Sequence, residues 1–304
     1  MKTIDYFLII FLCLCLSACN SNSEPEVEEP EIEEPCPDLA DINARFAYSD
    51  SPSRAVRLAY MGMERPADSY NFPLYPGMDG WADLKHYTEM KPYLEVTPAC
   101  LLSKMSTQAL IQAVWEYPDM PSYFSIAGYA FQRSIERRRI TYNFFEELYN
   151  RKDAGVALLQ RLTVVDPLTP FLEYESQMLE LLLSRPDFLS QLNENEKRKT
   201  VEIALSHDAK RYVAWWVDVG DSGKGLGLEV RPVTWILIGN TMHVAGYGPL
   251  LEAMNENEEL KWFIEGWMRH PSEPGTIMDY YYTPNRYGNI PDLIMDYAKK
   301  YIND

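Results

Sequence analysis

The chain has 304 residues, is 46% hydrophobic, and carries a formal net charge of −17 at pH 7. The composition is that of a globular protein. The excess of acids argues against nucleic acid as a partner, because phosphate contacts need a basic face. One basic triplet, Arg137-Arg138-Arg139, is expected to form a solvated helix face.

The first predicted element is an export signal. A short charged start precedes an apolar run over residues 6–16. This run is too brief to cross a bilayer, because a spanning helix needs about 20 apolar residues. It ends in Leu16-Ser17-Ala18-Cys19. We therefore predict that residues 1–18 are a signal peptide cut before Cys19; a plain secretory signal and an uncleaved anchor are the alternatives.

The same four residues resemble the lipobox of bacterial lipoproteins, in which a branched residue and two small ones precede the cysteine that takes the lipid. The resemblance implies a lipoprotein with a diacylglyceryl group on Cys19, carrying fatty acids such as palmitate. Cys19 is thus the predicted lipidation site, and the membrane is a predicted partner through this lipid.

Residues 19–39 form an acidic tether behind the lipidated cysteine. Nine acids and no base lie between Glu24 and Asp41. Like charges repel and few apolar groups are present to bury, so the tether is predicted to be disordered and extended. An acidic tract here resembles the export signal of surface-exposed lipoproteins in the Bacteroidota. The resemblance implies anchoring to the outer membrane with the body facing outward; a spacer facing the periplasm is the alternative.

Two cysteines remain once the signal is removed and Cys19 is lipidated. Cys36 lies in the tether and Cys100 in the body, so one disulfide is conceivable in an exported protein. Cys100 stands between Ala99 and Leu101, where a free cysteine acts as a small buried hydrophobe. We therefore expect the two cysteines to stay unpaired.

Residues 40–304 are predicted to form one α-helical domain. Helix-start signals recur along it, as a capping residue followed either by proline or, three residues later, by an acid. They are Thr97-Pro98, Asn143 with Glu146, Thr169-Pro170, Asn193 with Glu196, and Asn255 with Glu258. Alternating strand patterns are scarce, and the best of them, residues 212–219, also fits a helix.

An internal repeat suggests how the helices are arranged. The segment Leu189-Ser190-Gln191-Leu192-Asn193-Glu194-Asn195-Glu196 returns as Leu251-Glu252-Ala253-Met254-Asn255-Glu256-Asn257-Glu258, and a looser copy covers residues 102–107. Each copy predicts a short helix, a cap and a longer helix. This pattern favours an irregular array of stacked helix pairs, an α-superhelix of the HEAT or armadillo kind with aromatic, Pro/Gly-rich loops. Coincidence of a common capping solution is the alternative.

Motifs for catalysis or metal binding are weak. Residues 220–227 are rich in glycine but lack the spacing of a phosphate loop, and a calcium loop starting at Asp218 would have no side-chain ligand at its third position. We expect a loop between helices there. His207-Asp208 and His243 show no catalytic spacing, and the two neighbours would point different ways on a helix. We therefore predict no metal and no cofactor.

Aromatic residues supply the candidate ligand contacts. They cluster among prolines and glycines, where loops are expected, and each offers an apolar face with a polar tip for a sugar or a protein. The candidates are Tyr75, Trp81, Tyr280, Tyr281, Tyr282 and Tyr287. The alternative interpretation is that these loops fold back and cover the core. Trp115, Trp235, Trp262 and Trp267 lie in helical patterns and are expected in the core.

The leading hypothesis is a tethered, non-catalytic binding or scaffolding module of the cell envelope, with a protein or glycan as partner. The alternative is an envelope hydrolase that acts on glycan or peptide through paired carboxylates, since such pairs assemble in space and leave no linear trace. The body resembles uncharacterised helical lipoproteins of the Bacteroidota through residues 104–110 and 151–155, and this resemblance implies no particular activity.

Overall fold

The computed structural model describes residues 35–46, 64–118, 131–168, 173–222, 231–265 and 289–304. Residues Cys36–Asp304 form one compact unit of the chain, and all the described helices belong to it. Every regular element within these ranges is a helix, so the prediction of a mainly α fold is confirmed. None of the described helices is long and apolar enough to cross a membrane.

The described α-helices fall into a group before residue 170 and a group after it. They are α1 Leu39–Arg45, α2 Tyr87–Met90, α3 Thr107–Glu116, α4 Phe131–Thr141, α5 Asn143–Asn150, α6 Ala154–Val164, α7 Glu173–Leu183, α8 Pro186–Leu189, α9 Glu194–Ser222, α10 Arg231–Val244, α11 Gly248–Glu256, α12 Glu258–Ile264 and α13 Ile290–Tyr301. Three 3₁₀ helices, Trp81–Asp83, Lys91–Tyr93 and Ala99–Lys104, lie in the first group.

Helix α10 occupies the centre of the second group. Its residues from Val233 to Met242 are all buried, on every side of the helix. Helices α7, α9, α12 and α13 pack around it. The run Trp235-Ile236-Leu237-Ile238 explains this position, because a helix that is apolar all round has to be covered by other elements.

An aromatic cluster forms the core of the first group. The ring of Phe72 lies 5.2 Å from that of Tyr70 and 5.7 Å from that of Phe144, and Tyr117 lies 4.8 Å from Tyr142. Helices α3, α4 and α5 bring these rings together, and α3 also packs on α6. The aromatic cluster and the residues around α10 belong to one continuous hydrophobic core.

Two of the helix starts follow the sequence signals closely. Asn193 and Glu196 form a capping box, in which Asn193 Oδ1 accepts from the Glu196 amide at 3.0 Å and Glu196 Oε2 accepts from the Asn193 amide at 2.8 Å. Ser106 caps α3, since its hydroxyl accepts from the Ala109 amide at 3.2 Å. The long helix α9 therefore begins where the pattern predicts.

Three other predicted helix starts differ from the structure. Asn143 is the first residue of α5, and its side chain bonds to the amide and carbonyl of Val96 instead of capping. Asn255 lies inside α11, and Asn257 caps α12 by accepting from the Leu260 amide. The Thr97-Pro98 peptide bond is cis, and the 3₁₀ helix begins after it, at Ala99. Thr169-Pro170 lies outside the described residues.

The internal repeat corresponds to a shared order of elements. In each copy a helix precedes a cap and a further helix: Ala99–Lys104 before α3, α8 before α9, and α11 before α12. The second helix is longer in the first two copies, as predicted, but α12 has seven residues and α11 has nine, so the prediction is wrong for the third. The copies are not equivalent residue by residue, because the cap is Asn193 in one and Asn257, two positions later in the aligned frame, in the other. Stacking of these units as a HEAT- or armadillo-like array stays a prediction.

Helix α9 extends further than the sequence suggests. Residues 212–219, which could have formed a strand, are helical, and α9 continues through Gly220 and Asp221 to Ser222. The predicted loop is therefore wrong for these last residues, and a calcium loop starting at Asp218 does not fit a helical backbone. Residues 223–227 lie outside the described part of the chain.

Helices α6 and α8 approach closely at Gly155. A Cβ atom at this position would lie 2.2 Å from the carbonyl oxygen of Phe188, which is a backbone atom and cannot rotate away. We expect Gly155→Ala to destabilise the protein by about 1–3 kcal/mol, because overpacking shifts the backbone and exceeds the gain in helix propensity. The midpoint of urea unfolding at constant m-value measures this loss.

The matched control is Gly248→Ala in the first turn of α11, where nothing lies within 4 Å of an added Cβ. The free energy of unfolding of this variant should lie within about 0.5 kcal/mol of that of the wild type. A Gly155→Ala protein as stable as the Gly248→Ala protein would contradict the close helix contact.

Candidate functional site

The predicted ligand contacts fall into two sets. Tyr280, Tyr281, Tyr282 and Tyr287 lie outside the described residues, as does Cys19. Tyr75 is only 1% exposed, and its ring lies 6.1 Å from that of Phe72. Trp81 is partly buried and packs against the core. The ring of Tyr75 therefore offers no face to a ligand, which corrects the prediction for this residue: its segment folds back and covers the core.

Cys36 and Cys100 form a disulfide, so the expectation that they stay unpaired is wrong. Cys100 lies in the 3₁₀ helix Ala99–Lys104, where Leu101 and Leu102 are buried while Ala99 and Cys100 are exposed. Leu101 and Leu102 thus face the core on another side of the helix from Cys100. The local sequence could not show this, because the helix type decides which residues share a face.

Further contacts hold the segment after Cys36 on the compact unit. Lys104 Nζ donates to the carbonyl oxygens of Cys36 at 3.0 Å and Pro37 at 2.8 Å. Asp38 caps α1 by accepting from the Ala40 amide at 2.9 Å. The compact unit therefore begins at Cys36 and includes residues that the sequence assigns to the tether.

A buried ion cluster joins three helices of the second group. It consists of Ser176 and Glu180 on α7, His207 and Arg211 on α9, and Thr234 on α10. Arg211 Nη1 lies 3.0 and 2.8 Å from the two carboxylate oxygens of Glu180, and His207 Nδ1 lies 2.7 Å from Glu180 Oε1. Arg211 also donates to Ser176 and Thr234. The Glu180 side chain is fully buried.

The electrostatics of the ion cluster keep Glu180 ionised. Burial alone would raise the pKa of Glu180, but the charge of Arg211 and the hydrogen bond from His207 outweigh burial and lower it from 4.5 to about 2. This lowering corresponds to about 3 kcal/mol in favour of the ionised carboxylate. Because the carboxylate is fully covered, its role in this arrangement is to hold α7 and α9 together and not to meet a substrate.

Asp208 binds a different helix from its neighbour His207. Its carboxylate Oδ1 accepts a hydrogen bond from the Trp235 indole at 3.0 Å. The two neighbours point different ways on α9, as expected, and each reaches a buried partner. His207 and Asp208 are both buried in the core.

The basic triplet does not form a uniformly solvated face, which corrects that prediction. Arg138 is only 6% exposed and donates to the hydroxyl oxygens of Tyr117 at 3.1 Å and Tyr142 at 3.3 Å. Arg139 lies over the ring of Tyr149 at 4.4 Å. Because guanidinium groups stack on aromatic rings, these two bases join α4 to the aromatic core and form no patch for phosphates.

A surface groove of about 340 Å³ lies between α6 and the start of α9. Its walls combine an apolar floor with amide and charged side chains. The lining residues are Val156, Leu159, Gln160, Thr163, Asn193, Asn195, Glu196 and Lys199. Those from α6 follow the spacing i, i+3, i+4, i+7 of a single helix face.

The chemistry of the groove suits binding better than catalysis. Among its lining residues are one acid, Glu196, and one base, Lys199, and none is aromatic. Glu196 is engaged as the partner of Asn193 in the capping box. Gln160 and Asn195 each carry a carboxamide that both donates and accepts hydrogen bonds. A groove with this lining fits a neutral, hydrogen-bonding ligand.

Comparison of the chain with protein-family models, with curated proteins and with solved structures finds no match. The function is therefore inferred from the chain's own residues.

The sequence did not point to the main residues of the ion cluster or of the groove. Glu180 lies among the leucines of α7, and Arg211 lies in a long polar stretch of α9. A signal for the ion cluster was present in the spacing of His207 and Arg211, which share a helix face at i, i+4. For the groove, the sequence pattern indicates Asn193 and Glu196 only as a helix cap.

Replacing the buried carboxylate tests the ion cluster. Glu180→Gln keeps the shape of the side chain but leaves Arg211 buried without its counter-charge, so we expect a loss of about 3–5 kcal/mol in the free energy of unfolding at pH 7. Urea unfolding measures this loss. Glu252→Gln, an exposed acid on α11, is the control and should change stability by less than about 0.5 kcal/mol.

The difference in the free energy of unfolding between wild type and Glu180→Gln should also depend on pH. The folded-state pKa of Glu180 is lowered, so its contribution is complete above the ordinary value of 4.5 and is lost as the pH falls through about 2. The stability gap between wild type and Glu180→Gln should therefore narrow as the pH falls below about 4.5. A gap that widens below this pH would contradict the ion cluster.

Proposed function

We propose that this protein is a lipid-anchored, non-catalytic binding module of the bacterial cell envelope, attached to the membrane through Cys19. The observation that carries the proposal is the Cys36–Cys100 disulfide. Disulfides persist in oxidising compartments and are rare in the bacterial cytosol. The disulfide supports export independently of the Leu16-Ser17-Ala18-Cys19 motif.

The groove between α6 and α9 supports a binding role. Its volume of about 340 Å³ lies within the range of ligand sites, and its lining combines apolar residues with a few polar groups that orient a ligand. A polypeptide segment is favoured over a glycan, because the lining offers carboxamides such as Gln160 and Asn195 and no aromatic face for a sugar ring.

The acidic segment after Cys19 supports display on the outer leaflet of the outer membrane. Its seven acids before Cys36 and its prolines would keep the compact unit away from the lipid surface, since like charges repel and proline stiffens the chain. A body held in this way is accessible to partners outside the cell.

Protease treatment of intact cells tests the anchoring and the display together. We expect added protease to remove the compact unit from cells that make the wild type, and the Cys19→Ala protein to be absent from the outer-membrane fraction. Degradation only after the outer membrane is permeabilised would contradict surface display. Equal membrane retention of wild type and Cys19→Ala would contradict the lipid anchor.

Site-specific crosslinking tests the groove. A photo-crosslinking amino acid in place of Thr163, which is exposed in the groove, should yield discrete protein adducts in intact cells, and the same residue in place of Glu252 on α11 should not. Equal adducts at both positions, or none at Thr163, would contradict a groove partner. Turnover of peptides or cell-wall glycan by the purified protein would contradict the non-catalytic assignment.

A further inference from the structure

The N-terminal segment enters the compact unit at Cys36, a residue that is covalently bonded to a distant one. Cys36 is the first residue of the unit, and its sulfur is joined to that of Cys100, 64 positions later. A pull on the segment before Cys36 therefore has two covalent paths into the unit. The short path crosses the disulfide, and the long path runs through residues 37–99.

The Cys100 end of the short path is embedded in the body. Leu101 is fully buried and Met105 is only 1% exposed. Arg151 Nη2 donates to the carbonyl oxygens of Leu102 at 2.8 Å and Met105 at 3.1 Å, which ties this segment to the residue that follows α5. Force arriving at Cys100 therefore meets a segment with buried side chains and partly buried hydrogen bonds to its backbone.

The long path begins with much weaker attachments. Helix α1 has seven residues, of which Leu39 and Ile42 are buried, and a helix this short has little stability of its own. Asn43 bonds to the carbonyl of Ser69 and the amide of Asn71, each at 2.8 Å. A pull along this path would break these contacts one after another.

Residues 37–99 also carry a large part of the first group's core and surface. Phe72 packs in the aromatic cluster, and Arg65 pairs with the buried carboxylate of Glu116 at 2.9 Å. The segment 76–93 includes Trp81 and many exposed side chains. Loss of residues 37–99 would therefore uncover the aromatic core of the body.

We propose that the Cys36–Cys100 disulfide is a mechanical clip: tension from the N-terminal segment enters the body at Cys100, and residues 37–99 carry none of it. The clip goes beyond the proposed binding function, and only the origin of the tension rests on the proposed membrane anchor. Reduction of the bond would move the load onto α1 and open the first group from its end.

Single-molecule force spectroscopy on the full chain tests the clip, with handles on peptide tags inserted after Glu24 and after Asp304. The oxidised chain should reach a total unfolded length shorter than that of the reduced chain by roughly 21 nm, since 64 residues extend at roughly 3.4 Å each and the bonded Cα atoms lie 6.0 Å apart. The reduced chain should show an additional first step of this size, at lower force than any step of the oxidised chain.

Two comparisons separate the clip from a merely stabilising bond. Wild-type protein reduced in place and the Cys36→Ser/Cys100→Ser variant should behave alike, and the in-place reduction gives the result even where the variant folds poorly. Lys104→Ala removes only the hydrogen bonds to residues 36 and 37. It should therefore leave the first-rupture force of the oxidised chain unchanged and lower that of the reduced chain.

Equal unfolded lengths of the chain with and without reductant would overturn the clip. Equal first-rupture forces of the oxidised and the reduced chain would overturn it as well. Because no lipid is involved, failure here is distinct from failure of the membrane anchor.

Discussion

The rest of the second helix group depends on the burial of residues 233–242 of α10. An apolar helix in this position has to be covered on every side, and α7, α9, α12 and α13 provide that cover. The fit is close at Gly239, where an added Cβ would lie 2.8 Å from Ile264 Cγ1. The arrangement of the surrounding helices follows from the need to remove α10 from water.

Burial of α10 also explains the polar groups at its surface. A buried donor or acceptor without a partner costs about 1–3 kcal/mol, so partners for these groups stabilise the fold. Thr234 Oγ1 donates to Glu180 at 2.7 Å, the Trp235 indole donates to Asp208, and Thr241 Oγ1 donates to the carbonyl of Leu237 at 2.7 Å. The ion cluster thus supplies charge and hydrogen-bond partners where α7 and α9 pack against α10. It specifies which faces of α7 and α9 meet α10.

Three buried arginines are stabilised in three different ways. Arg211 has a carboxylate partner, and Arg138 has two phenol oxygens and two aromatic rings. Arg161 bonds to the side chain and carbonyl of Gln108 and lies 5.1 Å from the Trp115 ring. Burial lowers the pKa of Arg161 to about 10, although Glu116 acts in the opposite direction. These three guanidinium groups are therefore buried together with hydrogen-bond or ring partners.

The sequence predicted the elements better than the contacts between them. The helical class and the start of α9 could be predicted, because caps and apolar periodicity are local. The choice between Asn255 and Asn257 as a cap could not, since it depends on which turn buries Leu260 and Phe263. Pairing of Cys36 with Cys100, and of Glu180 with Arg211, requires the tertiary fold. The groove could not be predicted either, because its walls come from helices separated in sequence.

Three cysteines determine the proposed attachment of the protein. Cys19 is the predicted point of lipid attachment, and the Cys36–Cys100 disulfide begins the compact unit that this lipid would hold. Mass spectrometry of the protein purified from its own cell envelope and digested without reductant tests this account most directly. We expect an N-terminal peptide that begins at a lipid-modified Cys19, together with a disulfide-linked pair of peptides containing Cys36 and Cys100. An unmodified Cys19 with residues 1–18 still attached, or free thiols at Cys36 and Cys100, would contradict it.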